Sequence, residues 1–128
     1  MMRGDVFSYV KERYGVDPDH PWERTPDYAI LRHTGNRKWF AAIVDTTEDK
    51  IGIDGVREID ALLLKCDPSK ISSLIDGRNI LPAYTMSKEH WITVVLGTSM
   101  PASDITKLID LSYELTKPKG RPLQKKIN

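Results

Sequence analysis

Residues 59–68 read Ile-Asp-Ala-Leu-Leu-Leu-Lys-Cys-Asp-Pro. The apolar run predicts a buried strand over residues 59–65. The Asp67-Pro68 pair predicts the start of a helix, because the Asp carboxylate can accept from free backbone N–H groups and proline needs no partner for an N–H in the first turn. Gly77 is expected to end this helix. Its buried stripe is expected to consist of Ile71, Leu74 and Ile75.

Two strands and a helix are predicted downstream of this element. Residues 82–86 suggest a short strand at a sheet edge, because Pro82 cannot donate to a ladder. A tight hairpin loop over residues 87–89 would lead into a strand over residues 90–96, which is rich in β-branched side chains. Pro101 opens a last helix. Its core-facing stripe is predicted at Ile105, Leu108, Ile109, Ser112 and Leu115.

A helix and a hairpin are predicted upstream. Apolar and aromatic residues recur at helical spacing from Val6 to Tyr14, and Gly15 is suited to end that helix. Three prolines make residues 16–26 a loop. Strands over residues 28–33 and 38–45 are joined by Thr34-Gly35-Asn36-Arg37, which has turn composition, and polar residues 46–57 form a connection.

The predicted order is α-β-β-β-α-β-β-α, which makes residues 1–116 one two-layer α+β domain. We expect a five-stranded antiparallel sheet with the helices on one face. The predicted core positions are Trp39, Phe40, Leu63, Ile92, Val94, Leu108 and Ile109.

Charge is unevenly distributed along the chain. The 128 residues carry 19 Lys and Arg against 18 Asp and Glu, a formal charge of +1. Residues 117–128 hold five of the cations and no acid, so residues 1–116 are formally −4. We expect residues 117–128 to form a basic, flexible tail that either binds polyanions weakly or is simply solvated. The five cations are Lys117, Lys119, Arg121, Lys125 and Lys126.

Composition predicts a cytoplasmic protein. No apolar run approaches the roughly 20 residues of a membrane helix, and the N-terminus lacks the apolar core of a signal peptide. A single cysteine excludes an internal disulfide. The expected protein is a monomer or dimer.

No enzyme, cofactor or metal site is predicted. Gly52-Ile53-Asp54-Gly55 lacks the context of a phosphate loop, and the three histidines are scattered. Cys66 precedes a helix, where a thiol could be activated with His90 or Asp67, but a lone cysteine after an apolar strand is more often a core residue. The one group with metal-ligand chemistry is more simply a polar loop. It comprises Asp17, Asp19, His20 and Glu23.

Two cations and two aromatic residues form the main candidate site, which comprises Lys65, Tyr84, Lys88 and Trp91. Lysines can contact phosphates, and rings can stack on bases. The alternative is that Trp91 packs in the core and Lys88 is a turn residue. Tail cations extend the predicted nucleic-acid-binding set to Lys117, Lys119 and Arg121.

Seven short motifs resemble the MmcQ/YjbR family of small bacterial proteins. They are Asp19-His20-Pro21-Trp22, Lys38-Trp39-Phe40-Ala41, Lys65-Cys66-Asp67-Pro68, Leu81-Pro82-Ala83-Tyr84, Met86-Ser87-Lys88, His90-Trp91-Ile92 and Leu111-Ser112-Tyr113. The resemblance implies the same order of elements and a secretion-chaperone-like or frataxin-like fold. The family hairpin commonly resembles Ala-Tyr-His-Met-Asn-Lys, so its His and Asn positions are Thr85 and Ser87 here.

The family is often described as DNA-binding, which implies a weak, non-enzymatic DNA-binding module that contacts the duplex with hairpin wings and its phosphates with lysines. The alternative is a protein-interaction adaptor that resembles a secretion chaperone. Basic residues gathered on one face would favour the first, and a bare apolar patch would favour the second.

Overall fold

The computed structural model describes residues 1–118 and contains three helices and a five-stranded antiparallel sheet. The helices are α1 (Arg3–Tyr14), α2 (Pro68–Leu74) and α3 (Ala102–Thr116). The strands are β1 (Ala29–Arg32), β2 (Trp39–Thr47), β3 (Glu58–Lys65), β4 (Ile80–Pro82) and β5 (Trp91–Val95). Their order along the sheet is β1-β2-β3-β5-β4. The predicted α+β class and the order of elements are confirmed.

All three helices pack on one face of the sheet. Strand residues alternate between the faces, so Leu62 and Leu64 point to the helices while Ala61 and Leu63 point away. The helical layer contributes Val6 and Val10 from α1, Ile71 from α2, and Ile105, Leu108 and Ile109 from α3. The predicted core is confirmed: six of its seven residues are buried, and Trp39 packs beside them.

The hydroxyl of Ser112 joins α3 to the sheet where the ladder is interrupted. The register of β1 on β2 shifts between Leu31 and Arg32, and the Ala41–Leu64 pair is the last regular pair of β2 and β3 at this end. Ser112 Oγ donates to the Phe40 carbonyl and accepts from the Lys65 N–H at 2.9 Å. It therefore satisfies one backbone group of each strand at the point where the regular pairing of β2 and β3 ends.

Helix α2 ends earlier than predicted. Its last residue is Leu74, three residues before Gly77. The Asp76 carboxylate accepts from the backbone N–H groups of Arg78, Asn79 and Ile80 at 2.8 to 2.9 Å. These bonds stabilise a turn in place of a further helical turn, as is usual for Asp in such positions.

Strand β4 also differs from the prediction. It covers Ile80–Pro82 at the sheet edge instead of residues 82–86, and the connection to β5 is the long loop 83–90 instead of a tight turn at 87–89. The Tyr84 N–H donates to the Thr93 hydroxyl instead of to the backbone of a neighbouring strand. Thr85 has a φ of +60°, which is not a strand conformation. The sequence suggested a strand because Ala83, Tyr84 and Met86 are apolar, but these residues cover the sheet face instead of extending the ladder.

The α3 stripe was wrong at one position. Leu115 is exposed, whereas Thr116 is buried.

The three helices of residues 1–118 include none with the length and apolar character of a membrane span.

Candidate functional site

The sheet face opposite the helices carries a row of alternating cations and rings. At the end where β1 and β3 finish and β2 and β5 begin, four neighbouring strands present Arg32, Trp39, Lys65 and Trp91 in that order. Arg32 pairs with Trp39 and Lys65 pairs with Trp91 in the strand register. We call this end of the sheet the basic end and the opposite end the acidic end.

Each cation of the row lies over a ring. The Arg32 guanidinium carbon lies 5.8 Å from the Trp39 ring centre, and Lys65 Nζ lies 5.8 Å from that of Trp91. These are cation–π distances. Arg32 also pairs with Asp19 at 3.3 Å. Among residues 1–118 no acid pairs with Lys65, so its charge is available to an external anion.

A proline-rich loop adds a third ring system to this face. Trp22 makes edge contacts with Tyr28 and Trp39, with ring centres 6.2 Å and 5.9 Å apart. The Trp22 side chain is 40% exposed, whereas Tyr28 and Trp39 are partly buried. This loop therefore places an accessible indole next to the row.

The predicted site residues are only partly brought together. Lys65 and Trp91 are in contact, and Tyr84 packs on the same apolar layer as Trp91. Trp91 itself is 9% exposed, so its ring supports Lys65 instead of facing solvent. Lys88 Nζ donates to the Ala83 carbonyl at 3.1 Å and holds the 83–90 loop closed.

Of the predicted tail residues, the structure describes Lys117 and Pro118. Lys117 pairs with Glu114 at 2.6 Å. Lys119 and Arg121 lie outside the described residues, as does the rest of the predicted tail. Pro118 lies against Gly35 in the β1–β2 turn, where an added β-carbon would come within 2.9 Å of the proline ring. The tail therefore begins at the basic end of the sheet.

The sequence did not predict that four residues of this face lie together. They are Trp22, Tyr28, Arg32 and Trp39. Trp22 and Trp39 stood in motifs noted for their resemblance, and Trp39 was assigned to the core. The available signal was period-two spacing, because Ile30 and Arg32 share a face on β1. Pairing between β1 and β2 was needed to place Arg32 beside Trp39.

The segments that join β1 to β2 and β2 to β3 carry opposite charge and lie at opposite ends of the sheet. Residues 32–38 at the basic end contain Arg32, Arg37 and Lys38 and no acid. Residues 45–60, which turn at the acidic end, contain six acids and two cations. A body that is formally −4 can thus present a basic surface at one end.

Ion pairs occupy part of the acidic end. A cleft of about 660 Å³ lies there and is lined by Asp45, Glu48, Arg57 and Asp60 among others. Asp60 binds Arg3 at 2.8 Å, and Glu48 binds Arg57 at 3.3 Å.

Residues considered for catalysis or metal binding are engaged elsewhere. Cys66 is buried, and burial raises the pKa of its thiol. Asp17 pairs with Lys11, and His20 Nδ1 lies 3.1 Å from the Tyr28 carbonyl oxygen. Within residues 1–118, no three His, Cys, Asp or Glu side chains cluster as metal ligands.

Comparison with known proteins gives consistent matches. The YjbR family model matches residues 11–115. An uncharacterised Bacillus subtilis (strain 168) protein, YyaQ, is 50% identical over 117 residues, which cover 91% of this chain and 99% of YyaQ.

Solved structures have the same fold. A crystal structure of a Pseudomonas syringae protein has 44% identity and a TM-score of 0.88, covering 91% of this chain and 100% of that chain. A Deinococcus radiodurans protein has 24% identity and a TM-score of 0.69, covering 94% of this chain and 81% of that chain, which shows the fold alone. Because the family model covers most of the chain and a half-identical relative matches nearly end to end, this protein belongs to the YjbR, or MmcQ/YjbR, family.

Proposed function

We propose that this protein is a weak, non-enzymatic nucleic-acid-binding module that binds through the basic end of its sheet. The observation that carries the proposal is the row Arg32, Trp39, Lys65 and Trp91, in which cations and rings alternate across four adjacent strands. The cations of the row suit phosphates, and the buried Trp91 ring supports Lys65. The accessible ring beside the row is Trp22, which suits a base. We place this activity in the cytoplasm, with the protein acting as a monomer or dimer.

The surroundings of the row support a polyanionic ligand. Arg37 and Lys38 are exposed on the adjacent turn, and Pro118 brings the start of the basic tail to the same turn. The acids of residues 45–60 lie at the other end of the sheet, where they repel phosphates least. These features favour one orientation of the protein, in which the basic end meets the ligand.

The test is a salt titration of binding to fluorescein-labelled duplex DNA, followed by anisotropy. We expect the triple variant Arg37→Gln, Lys38→Gln, Lys65→Gln to reduce the slope of log K against log salt by up to about 2.7, because each phosphate contact contributes about 0.9. Lys50→Gln, at the acidic end, is the matched control and should leave the slope unchanged.

The change in slope is compared per charge removed. If each charge removed from the triple variant changes the slope as much as Lys50→Gln does, the ligand does not bind at the basic end. No binding by the full chain at about 10⁻⁴ M, the weak limit for non-specific binders, would contradict the proposal.

A second candidate function is a protein-interaction adaptor that resembles a secretion chaperone. The observation that favours it is a pair of exposed leucines on α3, Leu111 and Leu115, which are 44% and 50% exposed and one helical turn apart. Two leucines form a smaller apolar patch than the few hundred Å² that usually mark a partner site, so we rank this candidate second.

A further inference from the structure

The Trp22 ring is held in place before any ligand binds. Backbone bonds between Asp19 and Ile30, at 2.8 and 2.9 Å, fix the start of its loop to the edge strand β1. Two further contacts join the residues before Trp22 to those after it. They are the Arg32–Asp19 ion pair and the hydrogen bond from His20 to the Tyr28 carbonyl. A loop with these contacts loses little conformational entropy when it binds a ligand.

The same ring is the most accessible large aromatic side chain on this face. Tyr28 and Trp39 support it from the sheet side, and they leave 40% of the Trp22 side chain exposed. An indole that is partly exposed and held by two neighbouring rings offers a fixed aromatic surface next to the cations of the row. Trp22 is therefore suited to stack with a flat ligand.

We propose that Trp22 stacks on an unpaired base and that the ligand is single-stranded nucleic acid, not duplex. This inference rests on the proposed function and specifies its ligand. Bases inside a duplex have no free face, whereas every unpaired base offers one to an aromatic ring. Arg37, Lys38 and Lys65 then contact the phosphates on either side of the stacked base.

The dimensions of the sheet fit a short strand segment. Neighbouring strands lie about 4.7–4.9 Å apart, so the row from Arg32 to Trp91 crosses three spacings, or about 14 Å. Four-stranded sheets that bind RNA through surface aromatic residues stack two or three bases over a similar width. DNA and RNA single strands share this chemistry, so both are included in the test.

The experiment compares full-length protein on fluorescein-labelled single-stranded DNA, single-stranded RNA and matched duplex DNA at low salt. We expect at least one single strand to bind more tightly than the duplex and to quench tryptophan fluorescence. Trp22→Ala should weaken single-strand binding by about 5- to 150-fold, the range for loss of one base–aromatic stack, and change duplex binding less than about twofold.

Two variants separate stacking from folding. Trp22→Phe retains a ring and should restore single-strand binding to within about threefold of the native chain, while Val56→Ala, an exposed apolar residue at the acidic end, should have no effect. Thermal midpoints of all variants identify any loss of fold. If Trp22→Ala unfolds, failure of Trp22→Phe to bind single strands better than duplex contradicts the inference.

Three other outcomes would overturn it. Equal binding of single strands and duplex would contradict the stacking role and leave the proposed function intact. The second outcome combines two measurements. If heparin displaces oligonucleotide equally from the native chain and from Trp22→Ala, and if both proteins have the same oligonucleotide affinity, binding is purely electrostatic. Absence of binding to every nucleic acid would overturn both this inference and the proposed function.

Discussion

His33 is a buried imidazole at the junction of β1, β2 and α3. It is 2% exposed, and its ring centre lies 5.1 Å from that of Phe40 and 4.2 Å from that of Tyr113. Thr116 Oγ1 donates to the Ser112 carbonyl, so its oxygen accepts from His33 Nε2–H at 2.9 Å. Burial lowers the pKa of the imidazole below the ordinary 6.5, against a smaller opposing effect of a hydrogen bond to the Tyr113 backbone.

This histidine should make stability depend on pH. The unfolded chain protonates His33 near pH 6.5, whereas the folded chain does so only at lower pH, so the free energy of unfolding falls as pH drops from about 7 towards the folded pKa. His33→Gln keeps a donor for Thr116 and removes the titration. Urea unfolding at several pH values between about 7 and 5 should show a smaller decline for the variant. Parallel declines would contradict this assignment.

Thr85 is held in an unfavourable backbone conformation. Its φ of +60° is in the left-handed region, which costs a β-branched residue of order 1–2 kcal/mol. Asn, Asp and His are the side chains enriched at such angles. Thr85 is therefore a point of local strain in the 83–90 loop.

Replacing this threonine should stabilise the protein. We expect Thr85→Asn to raise the free energy of unfolding by about 0.5–1 kcal/mol, because Asn tolerates the left-handed region. Ser87→Asn, two residues on and without a positive φ, is the matched control and should stay within about 0.5 kcal/mol. Denaturant midpoints measure both. A larger gain for Ser87→Asn would argue against the strain.

At the scale of the element, α3 shows that the buried face of a helix is predicted better from the angle of each residue around the helix axis than from sequence spacing alone. With about 100° per residue, Thr116 projects about 20° from Ile105, whereas Leu115 projects about 80° from it on the side nearer solvent. Thr116 is therefore buried, and its polar group is satisfied by Ser112 and His33. Asn36 Nδ2 donates to the Thr116 carbonyl and so binds the helix end to the β1–β2 turn.

Truncations on the two sides of α3 should differ strongly. Leu108→Ala removes a buried side chain from the helical layer and should cost about 2–5 kcal/mol. Leu115→Ala removes an equal volume from an exposed position and should cost less than about 0.5 kcal/mol. Chemical denaturation compares the two variants directly. Similar costs would contradict the observed orientation of the helix.

At the scale of the whole molecule, charge segregation matters more than net charge. The antiparallel topology gathers residues 32–38 and Lys65 at one end and residues 45–60 at the other. The tail after Pro118 begins at the first of these ends. A polyanion approaching the basic end meets cations from several distant parts of the sequence, of which Arg32 is already paired with Asp19.

Removing residues 119–128 tests the contribution of the tail. The segment contains Lys119, Arg121, Lys125 and Lys126 and no acid. If all four contact phosphate, the deletion should flatten the log–log salt dependence of duplex DNA binding by up to about 3.6. A version of the full chain with these four residues changed to Gln controls for chain length. An unchanged slope in both variants would show that the tail does not contact the ligand.

The sequence alone determined the elements and most of the core. Asp67-Pro68, Gly15 and the alternation in residues 59–65 are local signals, since capping and side-chain period act within a few residues. The limits of β4 and α2 escaped prediction because Asp76 and the 83–90 loop bond to neighbouring turns and strands instead of following local propensity.

Only the tertiary structure decided the candidate site. Arg32, Trp39, Lys65 and Trp91 are separated by up to 59 positions in the sequence, and strand pairing alone places them in one row. The sequence left open whether Lys88 and Trp91 face a ligand or are a turn residue and a core residue. In the structure Lys88 closes a loop and Trp91 is buried. Local sequence predicts what a residue can do, whereas packing decides whether it faces a ligand, because exposure depends on contacts with residues that are distant in the chain.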